Sequence, residues 1–339
     1  MKKVLLATTM LVAGASIAAA EVTLSGSARM GVIKNFSDGF AGNGDESDLS
    51  FTSRARVVFT LSGESDSGLS FGATFRADNA VAANVGDGGS VFISGAFGKL
   101  SMGDVDGAAQ MATGHVAGVG LTGLTDLNES TFLGAGTGAT DPTALYEYSA
   151  GDFTFYLSAT NPRPVLGTAA VAATATTPAT AATTTSDTQT VAIGAKYTFG
   201  DYAVGLGYEN RTGFTAPAAG VVAVGTANNT DLDHIVLKVS GTVAGFNFQG
   251  LYGQADGTLG GAVVRKGEQY AASVSYTMNA LTGTVFYTDD SAAAFGGATA
   301  YGIGASYDLG GGASVVGGFA REVNGVDTST ADLGVSFTF

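Results

Sequence analysis

Four arginines, Arg29, Arg54, Arg56 and Arg76, and five carboxylates, Asp104, Asp106, Asp126, Glu129 and Asp141, are the residues whose types and spacing offer chemistry. The arginines fall in three short segments near the beginning of the chain, and the acids fall in one stretch, Asp104 to Pro142. Facing one another across water, such groups form a cationic and an anionic wall. The field between them orders water and favours charged or dipolar solutes over apolar ones. The alternative is that the arginines pair with acids such as Glu147 or Glu209, as ordinary ion pairs on a common surface.

Enzymatic chemistry is poorly supplied. The chain has no cysteine and only two histidines, His115 and His234, and it lacks a G-x-S-x-G elbow. His234 shares a polar face with Lys238 and reads as a residue lining water rather than as a base. Gly118-Val119-Gly120-Leu121-Thr122-Gly123 matches G-x-G-x-x-G, but no strand leads into it and no helix follows with an acid about 20 residues on, so it is a coincidence of a Gly-rich stretch. Asp45, Glu46 and Asp48, with Asn43 nearby, offer oxygen ligands for a structural Ca²⁺, although a solvated acidic loop is the commoner meaning of such a cluster. No cofactor is required, and no enzymatic activity is expected.

The elements that must position the charged groups repeat every two residues. Val22, Leu24, Gly26, Ala28, Met30 and Val32 alternate with Thr23, Ser25, Ser27, Arg29 and Gly31. The same alternation runs through Leu49 to Leu61 and Leu69 to Asp78, so these segments are strands with one apolar face. Arg29, Arg54, Arg56 and Arg76 all lie on the polar parity. Further strands are expected from Gly89 to Asp104 and, past the acidic stretch, from Thr143 to the C-terminus, for a total of about 16. Connections alternate between tight turns (Ser62 to Ser67, Ala150 to Asp152, Phe199 to Asp201, Thr242 to Ala244, Met278-Asn279, Leu309 to Gly311) and longer loops, among them Asp256 to Lys266. Short turns at one end and long loops at the other characterise up-and-down membrane barrels. Tyr197, Phe199, Tyr202, Tyr208, Phe246, Tyr276, Tyr287, Tyr301, Tyr307 and Phe337 gather near strand ends on the apolar parity, as interfacial girdles do.

Composition agrees. With 52 glycines and no tryptophan the chain is unlike a soluble enzyme of its length, and no run after residue 20 approaches the roughly 18 apolar residues of a spanning helix. Lys2 and Lys3, the apolar run Val4 to Ile17 and Ala18-Ala19-Ala20 read as a signal peptide over residues 1–20. Without those two lysines the formal charge of −14 becomes −16 for residues 21–339, which opposes binding to nucleic acid. A barrel of 16 strands is too wide for side chains to fill, since about 8 strands suffice for that. The apolar faces therefore point outward to lipid, and the polar parity lines water. The expected fold is all-β, a 16-stranded antiparallel transmembrane β-barrel over residues 21–339. Asp104 to Pro142, the third long loop, folds inward as a constriction rather than lying as a surface loop.

Several segments resemble a known family: Val22-Thr23-Leu24-Ser25-Gly26, Ala28-Arg29-Met30-Gly31-Val32, Phe51-Thr52-Ser53-Arg54-Ala55-Arg56-Val57, Ser94-Gly95-Ala96-Phe97-Gly98-Lys99, Tyr301 with Gly304 to Ser314, and the ending Asp332 to Phe339. They are similar to Gram-negative general diffusion porins of the alphaproteobacterial, Rhodobacter type. The resemblance implies a homotrimer in the cell outer membrane, surrounded by its lipids, passing small hydrophilic solutes, with Ca²⁺ near the loops. It also implies that the terminal Phe339 is read by assembly machinery, and that Arg29, Arg54, Arg56 and Arg76 stand on the cationic wall. The acids of this third loop are fewer than is usual in that family, and a mild cation preference is expected from the net charge. A substrate-specific channel is the alternative; it would need an aromatic slide along the lumen, for which only Tyr156 and Phe286 are candidates.

Overall fold

In a computed structural model, which describes residues 21–37, 49–78, 89–134, 143–160, 185–216, 228–292, 294–323 and 328–339, the period-two segments become strands. In chain order they are β1 (Glu21–Ser37), β2 (Ser50–Glu64), β3 (Ser70–Asp78), β4 (Gly89–Gly95), β5 (Gly98–Gly103), β6 (Thr143–Ala150), β7 (Phe153–Thr160) and β8 (Thr185–Phe199), then β9 (Tyr202–Ala216), β10 (Asn228–Val243), β11 (Phe246–Leu259), β12 (Ala262–Met278), β13 (Leu281–Asp289), β14 (Thr299–Gly310), β15 (Ala313–Val323) and β16 (Thr328–Thr338). Each pairs antiparallel with its chain neighbours, and β1 pairs with β16 to close the barrel. Closure gives every strand two partners, as a sheet surrounded by hydrocarbon requires. The seam is fastened at the last residue, where Phe339 N–H donates to Gly26 O at 3.0 Å.

The two parities face different surroundings. Phe51, Leu24 and Ile303 are 94%, 62% and 59% exposed, values that only a non-aqueous neighbour explains for so many large apolar side chains. Exposed aromatics on the outer parity form two rows. Tyr202 and Tyr208 on β9, Phe246 and Tyr252 on β11, Tyr270 and Tyr276 on β12, and Tyr301 and Tyr307 on β14 are each six residues apart. The row nearer the short turns includes a stacked set, with Phe153 on Tyr197 at 4.4 Å and Phe199 on Tyr202 at 5.6 Å.

Short turns join β2–β3, β4–β5, β6–β7 and each later even-to-odd pair, all at one end. Two expectations need correction. The connection from Asp256 to Lys266 is not a long loop: β11 and β12 run on past a bulge at Ala255/Gly257 and meet in the two-residue turn Gly260-Gly261. Both glycines have positive φ, 56° and 84°, which is the turn geometry that matches strand twist. The lumen parity is also not polar throughout. Leu232, Val236, Leu251, Ala271, Phe286, Ala300 and Ala320 lie on it and are buried, because the Asp104 loop covers them. The segments 1–20 and 38–48, the latter carrying Asp45, Glu46 and Asp48, lie outside the described residues, as does Asp141.

The outward register is testable at the mid-height of the barrel. Ile303→Arg, between the two aromatic rows, should cost roughly 2–4 kcal/mol of folding free energy in vesicles, read by reversible denaturant titration. Thr60→Arg, on the lumen parity of β2 and away from the loop turn, should cost much less.

Candidate constriction site

The loop after β5 has its own architecture. It forms a short helix, α1 (Ala108–Thr113), runs out along the wall, turns at residues 121–126 and returns to Gly134. From α1 onward its described residues pack on inward-facing groups of strands from β7 round to β1, and Leu133 also meets Ala294 and Phe295 of the β13–β14 connection. Glycines in the wall make room for it. An added Cβ at Gly207 would sit 2.6 Å from the Ala109 Cβ, and one at Gly194 would sit 2.7 Å from the Ala112 Cβ. Alanine on the helix and glycine on the strands thus let two backbones touch. Ser158 Oγ accepts from the Ala108 N–H at 2.8 Å, satisfying one of the free donors of the first turn. Farther along, Val116, Val119, Leu124 and Phe132 pack on Val236, Leu251, Ala271, Phe286, Ala300 and Ala320, a small apolar core between loop and wall. Tyr156 and Phe286, the candidates for an aromatic slide, are buried in that core and line no water.

Polar side chains of the wall hold the loop backbone. Asp332 accepts from the Leu121 and Thr122 N–H groups at 2.9 and 2.7 Å and from Thr122 Oγ1 at 2.7 Å. Glu209 accepts from the N–H groups of Leu133 and Gly134 at 2.8 and 3.1 Å, and Asp290 accepts from Thr131 at 2.6 Å. The Glu209 carboxylate also accepts from the Nδ1–H of His234 at 2.9 Å, and the Nε2 of that ring accepts from Gln269 at 2.7 Å. Glu209, His234 and Gln269 are fully buried. Ser273 Oγ accepts from Ala117, Thr288 Oγ1 donates to Leu127 O, and Lys238 donates to His115 O. None of Asp290, Asp332, Ser273 or Thr288 stands out in the sequence, where single polar residues on a lumen parity carry no mark of what they face. His234 and Lys238 do point inward, but to the loop backbone rather than to water.

His115 is a structural residue of the loop. Its Nδ1 accepts from the Ser130 N–H at 3.1 Å, so the neutral ring carries its proton on Nε2; the Gln110 Nε2 lies 3.1 Å from that atom, and turning the amide over presents its otherwise unpartnered oxygen as the acceptor. Burial, with the Lys238 charge second, lowers its pKa from 6.5 to about 4. Its contribution to docking is therefore complete above 6.5 and is lost as pH falls from there toward about 4.

The turn of the loop is wound against its preference. Leu124, Thr125 and Asp126 have φ of 49°, 65° and 56° in succession, a left-handed run that costs on the order of 1–2 kcal/mol per residue. Burial of Leu124, which is 1% exposed, and the Asp332 clamp hold it.

The charged groups fall into two sets. On β1–β3, Arg29 is the cross-strand partner of Arg54, and Arg56 is the partner of Asp78. Arg56 forms a two-pronged ion pair with Asp78, both bonds 2.8 Å. One of the four arginines is thus partnered by a wall acid, though a different acid from Glu147 or Glu209. Arg29 reaches the loop turn, donating to Leu121 O at 3.3 Å. Asp104, Asp106, Asp126 and Glu129 are all exposed along the loop. Partial burial and then Asp104 raise the Asp106 pKa; partial burial, then Asp126 and Asp106, raise that of Glu129. Among the described residues no ion pair joins these acids to the four arginines.

A closed sheet with an apolar exterior, and an inner segment with exposed acids beside an arginine wall, define a transmembrane β-barrel channel. The Gram-negative porin family model matches residues 7–327, and the chain belongs to that family. It is 38% identical to a porin of Rhodobacter capsulatus over 94% of this chain and 100% of the other. A solved porin structure superposes with a TM-score of 0.67 at 35% identity, covering 94% and 100% of the two chains. A Rhodopseudomonas blastica porin variant with the same coverage, TM-score 0.58 and 20% identity, shares the fold. The chain is thus a Gram-negative porin and serves transport, in a family of channels rather than enzymes.

The grip on residues 133 and 134 should be measurable. Glu209→Ala removes charge-assisted bonds of roughly 1.5–3 kcal/mol each, so it should raise single-channel conductance and current noise and speed amide exchange at 133–134. Glu209→Gln, which keeps one acceptor, should fall between it and the native chain.

Proposed function

We propose that this porin is a general diffusion channel of the outer membrane, assembled as a homotrimer, that passes small hydrophilic solutes and ions with a mild preference for cations. The observation that carries this reading is the presence of exposed Asp104, Asp106, Asp126 and Glu129 on the loop together with Arg29, Arg54, Arg56 and Arg76 on β1–β3. These eight residues are the proposed constriction. Arg56 contributes least, because Asp78 offsets its charge. A general channel is favoured over a substrate-specific one by the burial of Tyr156 and Phe286, which leaves no aromatic track from these residues. A structural Ca²⁺ held by Asp45, Glu46 and Asp48 belongs to the proposal on the strength of residue type alone, as does recognition of Phe339 during assembly. Among the described residues, no group of three or more metal-ligating side chains occurs.

In planar bilayers the purified protein should insert as large ohmic steps in groups of three, and an absence of conductance would sink the reading. Reversal potentials in a salt gradient should show cation preference at neutral pH. Because Asp106 and Glu129 titrate above the ordinary values of 3.8 and 4.5, that preference should begin to decline at higher pH than for free carboxylates. A profile unchanged down to pH 3.8 would remove both from the selectivity site.

A further inference from the structure

The geometry points to Asp332 as a positioning residue for ion selectivity, acting through the loop turn on Arg29. This inference rests on the constriction proposed above and adds a residue that carries no charge into the open lumen. Asp332 is 6% exposed and spends its carboxylate on three donors of Leu121 and Thr122. The same peptide unit turns its carbonyl the other way, where Leu121 O accepts from Arg29. One docked residue therefore sits between a buried acid of β16 and a lumen arginine of β1, and the arginine is covered only while the turn is down.

Two further features indicate that the turn takes this shape only when docked. Leu124, Thr125 and Asp126 are held in a left-handed run that an undocked loop would not keep. Backbone contact at the docking point also depends on absent side chains: a Cβ at Gly318 would lie 2.8 Å from Gly120 Cα, and Cβ atoms at Gly31 and Gly334 would each lie 2.6 Å from Leu121 Cδ2. Raising the turn uncovers Arg29 beside its partner Arg54 and draws Asp126 away from its place. Both changes make the opening more cationic. Selectivity is thereby tied to a docking contact whose own acid never meets the solute.

The test perturbs docking without altering charge. At Gly120 a Cβ would lie 2.7 Å from Leu124 Cγ and 2.9 Å from Asp332 Oδ1, and φ is 88°, so Gly120→Val should lift the turn. In planar bilayers it should raise conductance and move the reversal potential toward anions by a factor of two or more in permeability ratio. Thr122→Val, which removes only one donor to Asp332, should do the same to a smaller extent and serves if Gly120→Val does not fold. In an Arg29→Gln background the selectivity shift should shrink to less than half while the conductance rise persists. A conductance change without a selectivity change, or a full shift in the absence of Arg29, would overturn the inference; the latter would assign the effect to the loop acids. Either result leaves the channel reading intact, whereas absence of conductance in the native protein would remove both.

Discussion

The structure depends on a few carboxylates that face inward from the wall and accept backbone N–H groups of the loop. A barrel of 16 strands encloses more space than side chains fill, so a segment placed inside it has no dense core to lean on. Backbone donors left bare in that segment would instead bond to water and leave it free to move. Glu209, Asp290 and Asp332 supply charged acceptors at three points, and each bond to a buried charge is stronger than a neutral one. Apolar contact is then added between those points, where Val116, Val119, Leu124 and Phe132 meet the wall.

This arrangement explains why the lumen face has two characters. Beneath the loop, the wall follows the logic of a soluble protein, with glycine and alanine at close approaches and polar side chains such as Glu209, Ser273, Thr288 and Asp332 bonded to the loop backbone. On β2 and β3, away from the loop turn, the wall keeps arginines and threonines. The charged groups that hold the loop, Glu209, Asp290 and Asp332, are thus different residues from those proposed to meet solutes. Arg29 alone is shared between the two.

The barrel was legible in the sequence because its rule is short-ranged: a period of two, interrupted by turns, with arginines on one parity. Strand number, closure and the parity of Arg29, Arg54, Arg56 and Arg76 all follow from it. The loop itself was legible as a break in the alternation. How it is held was not. Asp332 and Asp290 look like any lumen acid until the chain is closed and brings residue 121 to residue 332. Val236 and Phe286 break the polar parity for a reason that lies more than 100 residues away in the chain. The hairpin at Gly260-Gly261 was misread because a bulge at Ala255/Gly257 disturbs the alternation that would have marked it as strand.

The two rows of exposed aromatics, six residues apart on four strands, act as a gauge of membrane thickness. Six residues span roughly 20 Å along a strand, and a tilt of about 40° reduces the vertical separation of the rows to roughly 15 Å between centres. A single helix adjusts to a thicker bilayer by changing its tilt, but a closed sheet has its tilt set by strand number and stagger. Lipid, being softer than the barrel, does the adjusting. Any thicker membrane must thin itself around this protein, at a cost that rises with each ångström of mismatch. The spacing of these aromatic rows therefore sets the bilayer thickness at which that cost is least.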